Sequence, residues 1–381
     1  MLVLLNPHKN HLYGNVKQRI DQGLKNISKL NFFLKTFIMV SNTRYLIDRQ
    51  FFPETPKSLK FFFKSIFFQN YLLKEWQIMN GIKNQKSIIT WDKLTKNDTI
   101  ILNAKDLRYK NIGKRLEKTS VNKLILLSNH YGTHPSAEYE ALSKFKGKIN
   151  LISEVSMRER PLIKDYLPMI ESEYTFGYCI NEKFKCDKIF SNRKERAIAV
   201  GTINLDLPKN NESLRKYLVD NDLDNNHHYR TKLYNYSKNS KLIDTLFNVR
   251  HKHQISKKKN EILTKNYHTY DLNELYNSYK LAIILPDSLK TVPQLIFEAL
   301  GSGTVVVTMY DKGLEQLGIL KDVHYVAYDF NQKLDNFDIF LKNLLTKKNY
   351  LQKIHEEALK ISKNFRKKNI TNKLKSFLES I

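Results

Sequence analysis

The stretch LAIILPDSLKTVPQLIFEALGSGTVVVT, residues 281–308, carries the pattern on which the fold turns. Residues 281–285 form a short continuous apolar run, the form expected of a strand buried on both faces. Residues 286–290 read as a loop. Thr291 and Gln294 then stand at capping-box spacing, which predicts a helix starting just after Thr291, with Pro293 in its first turn, where a missing N–H costs nothing. Gly301 follows Leu300 where a left-handed C-terminal residue is expected, and 305–307 is a second buried run. A strand–loop–helix–strand unit of this kind belongs to a parallel sheet with a right-handed crossover. Ligands of such sheets lie at the carboxyl ends of strands, beside helix N-termini. The loop at 286–291 is therefore where function is expected, and Glu298, a carboxylate in an otherwise apolar helix, is the residue that needs a reason.

The rest of the chain bounds what that function is. At 381 residues there is enough chain for two domains with cores of their own. The composition is globular, 41% hydrophobic and 12% aromatic. Two cysteines, Cys179 and Cys186, have no ligand-like spacing, so neither a disulfide framework nor a zinc site is expected. No apolar run approaches the roughly 18 residues of a membrane span, and the opening MLVLLNPHKN reads as a first strand rather than a signal peptide. A reducing, cytoplasmic setting fits these features.

The net charge of +26 admits nucleic acid, an anionic membrane surface or polyanionic substrates, as well as a plain lysine-rich coat. The charge is diffuse, and its short runs lack the aromatic interleaving of single-strand binders, so nucleic acid is not the expected partner. The segment LKFFFKSIFFQNYLLKEW, 59–76, reads either as a core helix or as an interfacial helix whose lysines meet lipid phosphates.

Strands are expected at 2–5, 36–40, 99–102, 123–127 and 149–152. A second series is expected at 196–202, ending in Gly201, and at 282–285, 305–307 and 324–328. Residues 208–240 read as loop and surface helix. The pattern is α/β, in two units: an N-terminal Rossmann-like domain over 1–175 and a second over 190–360, with a helical tail at 361–381.

Four segments, in order, resemble one family. They are YTFGYCINEKF (174–184), RKERAIAVG (193–201), the 292–308 stretch itself, and VHYVAY (323–328) with its trailing helices. Together they are similar to the group-1 branch of nucleotide-sugar glycosyltransferases of the GT-B type, over about 170–365. The resemblance implies two Rossmann-like domains facing across a cleft. It also implies transfer of a sugar from a nucleotide-sugar donor to a glycan or lipid-linked acceptor, with no metal and no cofactor beyond the donor itself. Glu298 would then accept the ribose hydroxyls, and the amides at the start of the same helix, with Thr291 and Gln294, would face the donor diphosphate. Many group-1 enzymes carry two glutamates eight positions apart. Here the partner position to Glu298 is Lys290, which suits the leaving diphosphate but removes the carboxylate that meets the transferred sugar; Asp287 is the substitute in the same loop. Gly201 would allow backbone approach to the phosphates, Lys209 and Arg215 would add charge there, and Tyr267 and His268 would lie near the base. In the first domain His130 is the candidate base toward the acceptor hydroxyl, with His11 and Gly14 on the acceptor side. Two other readings compete: a scaffold of the same fold with a degenerate donor site, and a basic nucleic-acid-binding protein without transferase activity.

Overall fold

The computed structural model describes residues 2–5, 44–46, 88–89, 91–103, 107, 112–128, 135–157, 160, 169–205, 212–250 and 270–380. The chain divides into two compact units, Met1–Ile152 with Leu167–Tyr174, and Ser153–Tyr166 with Thr175–Ile381.

In the first unit the described strands are β1 (Leu2–Leu5), β2 (Arg44–Leu46), β3 (Ile88–Ile89), β4 (Thr99–Asn103), β5 (Lys123–Ser128), β6 (Lys148–Ser153) and β7 (Ile170–Thr175). They lie in the order β3-β2-β1-β4-β5-β6-β7. The pairs from β3 through β5 are parallel. Helices α1 (Ile112–Lys118) and α2 (Pro135–Leu142) alternate with these strands. Ile100, Ile101 and Leu102 of β4 and 124–126 of β5 are fully buried, as expected of central strands covered on both faces. The strand expected at 36–40 and the aromatic segment 59–76 lie outside the described residues.

The second unit holds β8 (Lys194–Asn204), β9 (Ile243–Arg250), β10 (Tyr279–Ile283), β11 (Val305–Thr308) and β12 (Tyr325–Ala327), in the order β12-β11-β10-β8-β9 with every neighbour parallel. Its helices are α3 (Glu212–Asp220), α4 (His228–Ser237), α5 (Leu272–Ser278), α6 (Gln294–Gly301), α7 (Lys312–Gln316), α8 (Phe337–Thr346), α9 (Lys348–Ser362) and α10 (Lys367–Ser380). Strands β10 and β11 are buried at every position, and Ile283 stands in register with both Ala199 and Val307. The apolar runs thus become the middle of the sheet, and α8 and α9 complete the core with Phe337, Leu341, Leu351 and Ile354.

Three local expectations are corrected. Gly301 is not left-handed: it is the last residue of α6, and the positive φ, +68°, falls on Gly303. The helix does not start at a Thr291 cap: it begins at Gln294, with Pro293 at the N-cap position and no side-chain cap. The residue before a proline is held out of the helical region, so Val292 cannot be a helical residue and the start moves past it. Nor does the strand end at Gly201. It runs on to Asn204, paired with Arg250, because β9 supplies a partner for each of the last residues. Gly201 is glycine for its φ of +151°, and a side chain there would also meet Arg230 and Phe247.

One buried guanidinium joins the parts of the second unit. Arg193, at the entry to β8, donates to the carbonyls of Lys188, Ser302 and Gly303, to Thr304 Oγ1 and to Asn277 Oδ1 at 3.0–3.1 Å. It holds the turn between α6 and β11 against α5 and the chain before β8. Replacing it would strand several buried acceptors, each costing about 1–3 kcal/mol. Arg193→Ala is therefore expected to lower the unfolding free energy by about 3 kcal/mol or more, read from urea denaturation midpoints at unchanged m-value.

Candidate functional site

The carboxyl ends of β8 and β10 meet where strand order reverses, since β9 and β10 flank β8 on opposite sides. That is where open parallel sheets bind ligands. Arg230, in the first turn of α4, spans this point: its Nε donates to Leu285 O at 2.8 Å and its Nη1 to Thr202 O at 3.1 Å. Just beside it, Asn204 N donates to His227 Nδ1 at 2.8 Å, which makes Nδ1 the acceptor nitrogen of that ring. Gly201 and Arg230 are therefore neighbours at one strand end.

The loop 286–293 is held by side chains together with backbone bonds from Ser288 N to Asn226 O and from Lys290 N to Asp287 O. Asp287 Oδ1 accepts from the amides of Leu289 at 3.1 Å and Thr291 at 2.9 Å. Burial pushes the Asp287 carboxyl above the ordinary carboxylate range, and the Thr291 amide and the guanidiniums of Arg230 and Arg160 oppose that rise. Ser288, fully buried, donates through N to Asn226 O and through Oγ to Asn225 O. Leu289 packs on Leu214 and Leu218 of α3, which carries the exposed Arg215.

Arg160 closes the loop from outside. It is buried, forms a two-point ion pair with Asp311 at 2.7 and 3.1 Å, and donates to the carbonyl of Lys290 and to Ser156 O. Asp311 in turn caps α7 through the amides of Gly313 and Leu314. Lys290 itself sits at φ +57° with its side chain exposed, a conformation that persists in a non-glycine residue only when its surroundings over-determine it.

Glu298 lies one turn into α6 and is almost fully buried. Gln294 Nε2 donates to its Oε1 at 3.0 Å. Its Oε2 is buried with no hydrogen-bond partner among the described residues. Gln294 therefore turns forward to Glu298 instead of back toward Thr291. Burial raises the Glu298 carboxyl to about 7, with Lys183 and the Gln294 bond opposing the rise. An unpaired buried carboxylate oxygen is costly in a folded chain, so this one is a feature that needs a ligand or a proton.

The residues expected from sequence divide accordingly. Asp287, Lys290, Thr291, Gln294 and Glu298 come together on the β10–α6 connection, and Gly201 lies at the adjacent strand. His11, Gly14, His130, Lys209, Tyr267 and His268 lie outside the described residues. Arg160, His227 and Arg230 were not expected; no local spacing marks them, because their partners are far away in sequence. Among the described residues no group of three or more His, Cys, Asp or Glu side chains is placed to hold a metal ion, and no helix is long and apolar enough to cross a membrane.

No protein-family model matches the sequence, and no curated protein matches it. Solved structures do. The chain is similar to HepE of Anabaena in complex with UDP and glucose, at a TM-score of 0.54 and 8% identity, covering 100% of this chain and 99% of that one. HepE in complex with UDP aligns at a TM-score of 0.53 and 10% identity, over 100% of both chains. The pneumococcal O-GlcNAc transferase GtfA, in complex with UDP and GlcNAc, aligns at a TM-score of 0.43 and 12% identity, over 82% of this chain and 59% of that one, so this chain spans less than two thirds of GtfA. At these identities the likeness establishes the fold: the chain has the GT-B fold of two Rossmann-like domains.

The buried carboxyl gives this site a pH signature. Glu298 titrates near 7 in the folded chain and near 4.5 when unfolded. Between those values the folded state keeps a proton that the unfolded state has lost, so unfolding free energy falls as pH rises, by at most about 3 kcal/mol. Glu298→Gln removes this dependence. Relative to the original chain, the variant is expected to gain stability steadily from pH 5 to pH 8 in urea titrations; parallel profiles would assign the carboxyl an ordinary pKa.

Proposed function

We propose that this chain is a glycosyltransferase whose second unit binds a nucleotide-sugar donor and whose acceptor is a glycan or a lipid-linked sugar. The observation that carries this reading is the partnerless, buried Oε2 of Glu298 on a helix whose N-terminus has no side-chain cap. Vicinal hydroxyls of a ribose are the matching chemistry: two donors presented side by side to one carboxylate, which needs them once it is ionised. The amides of the first helical turn lack intrahelical partners and carry the positive end of the dipole, which suits the donor diphosphate. Lys290 adds a full charge beside that turn, and Arg230 a second one at the β8 end. The UDP named in the HepE complexes is in keeping with a nucleotide donor.

In transfer, the bond from the anomeric carbon to the diphosphate breaks and negative charge grows on the leaving oxygen. Preorganised amides and the Lys290 ammonium oppose that charge without a metal ion. Asp287, with one oxygen already on two loop amides, holds the loop that presents Lys290. His130 is the proposed group toward the acceptor hydroxyl. A cytoplasmic enzyme of charge +26 would be drawn to an anionic membrane surface carrying a lipid-linked acceptor. A second reading, donor binding without transfer, is favoured by one observation, the lysine at position 290.

Incubation of the pure protein with a panel of nucleotide sugars, following release of nucleoside diphosphate, decides between the two; binding without release would leave the scaffold. Glu298→Gln is expected to weaken nucleotide binding by about 1.5–3 kcal/mol. Affinity in the original chain should rise as pH passes upward through about 7, where Glu298 ionises, and that rise should vanish in the variant. Lys290→Ala is expected to lower kcat more than it raises KM, since the charge it meets grows in the transition state; a change in KM alone would make Lys290 a uniform binding contact.

A further inference from the structure

Both polar groups of the Lys290 backbone are fixed. Its N–H donates to Asp287 O at 2.9 Å, and its carbonyl accepts from Arg160 Nη1. Between those two bonds the residue stands at φ +57°, a left-handed conformation that a side chain with a Cβ leaves for negative φ when nothing holds it. The sign of φ sets the direction in which Cβ leaves the loop. Whatever holds the Lys290 carbonyl therefore decides where its ammonium stands.

That hold is assembled from distant parts of the sequence. Arg160 is buried, and its guanidinium is engaged at three nitrogens: Nη1 and Nη2 meet Asp311 Oδ2 and Oδ1 at 2.7 and 3.1 Å, and Nε donates to Ser156 O at 3.1 Å. Asp311 is anchored in turn, because its Oδ1 accepts from Gly313 N at 2.7 Å and Leu314 N at 3.2 Å at the start of α7. Gly313 completes the arrangement. A Cβ there would stand 2.9 Å from both Arg160 Nη2 and Asp311 Oδ1. Its backbone is helical, so this glycine is needed for the room it leaves to the ion pair rather than for an unusual φ. Desolvation offsets much of the attraction in a buried pair of this kind, so stability alone is a weak reason for it. What it supplies is a fixed geometry at the Lys290 carbonyl.

We infer that Arg160 is a positioning residue for the proposed transfer. Clamped by Asp311 in the space beside Gly313, it keeps Lys290 left-handed and so keeps the ammonium beside the first turn of α6, where the leaving diphosphate gains charge. The inference rests on the donor reading given above. Arg160 acts through Lys290 and not on the donor itself. Placement matters at this step because a group that opposes developing charge loses much of its effect when displaced by about 1 Å.

The test is steady-state kinetics of the full chain with the nucleotide sugar that supports release of nucleoside diphosphate. Arg160→Met removes the donors at similar side-chain length and is expected to lower kcat about tenfold or more, with KM changed less than about twofold. Arg160→Lys keeps one donor for the Lys290 carbonyl and is expected to restore part of that loss. Gly313→Ala presses on the ion pair without removing any of its groups, and is expected to lower kcat in the same way. In a Lys290→Ala background, all three changes are expected to leave kcat at the value of Lys290→Ala alone. Equal losses in the two backgrounds, a loss confined to KM, or an unchanged kcat in Gly313→Ala would overturn the inference and leave the donor site standing. Should Arg160→Met fail to fold, Arg160→Lys and Gly313→Ala carry the same comparison. Absence of release from every donor by the original chain would remove the transfer reading and this inference together.

Discussion

The connection between β10 and α6 must end a strand that is buried at every position and begin a helix, and its own backbone groups cannot pair with a neighbouring strand while doing so. Buried amides and carbonyls need partners. Here they come from the Asp287 carboxylate within the loop, from the main-chain carbonyl of Asn226 before α4 and from the Arg160 guanidinium in the segment after β6, while the Ser288 hydroxyl donates to the carbonyl of Asn225. The left-handed Lys290, the start of α6 past Pro293 and the depth of Glu298 all depend on that arrangement. A charge at Arg160 rather than a neutral donor is understandable, because one guanidinium can serve a carbonyl and a carboxylate at once.

Much of the second unit was legible because its central strands are covered on both faces and so read as unbroken apolar runs. β11 falls where its run predicts, and β10, Tyr279–Ile283, overlaps its run but begins and ends two residues earlier. β7 and β9 were missed for the converse reason: Glu171 and Glu173, and Asp244 and Asn248, interrupt the pattern in strands at the end of their described sheets. The helix start is not encoded by the spacing of Thr291 and Gln294, because Pro293 keeps Val292 out of the helical region. Glu298 was visible as an anomaly, an acid among Ile, Phe, Ala and Leu. Arg160 was not visible at all, since 130 residues separate it from the carbonyl it holds, and no local period encodes such a contact.

The same geometry sets stability against function. An ionised Glu298 with one oxygen unpaired is a burden on the folded chain, and a glutamine would relieve it. Sites that keep such burdens are commonly those that use them. The fold by itself would not reveal this, because a likeness at 8% identity carries the architecture and not the chemistry placed on it.

The aromatic packing behind α6 extends that sensitivity to positions no ligand could reach. Phe297 meets Tyr178 at 5.3 Å and Phe365 at 5.0 Å, both edge to face. Gly177, at φ +80°, has no room for a side chain, since a Cβ would stand 2.4 Å from Phe365. Phe297 is the residue before Glu298, so any enlargement at 177 reaches the carboxylate through two rings. A genetic screen for inactive alleles would thus recover single-codon changes at Gly177 and Phe365 with the phenotype of changes at Glu298 itself, and a map drawn from such alleles would trace a hydrophobic relay rather than the outline of a binding site.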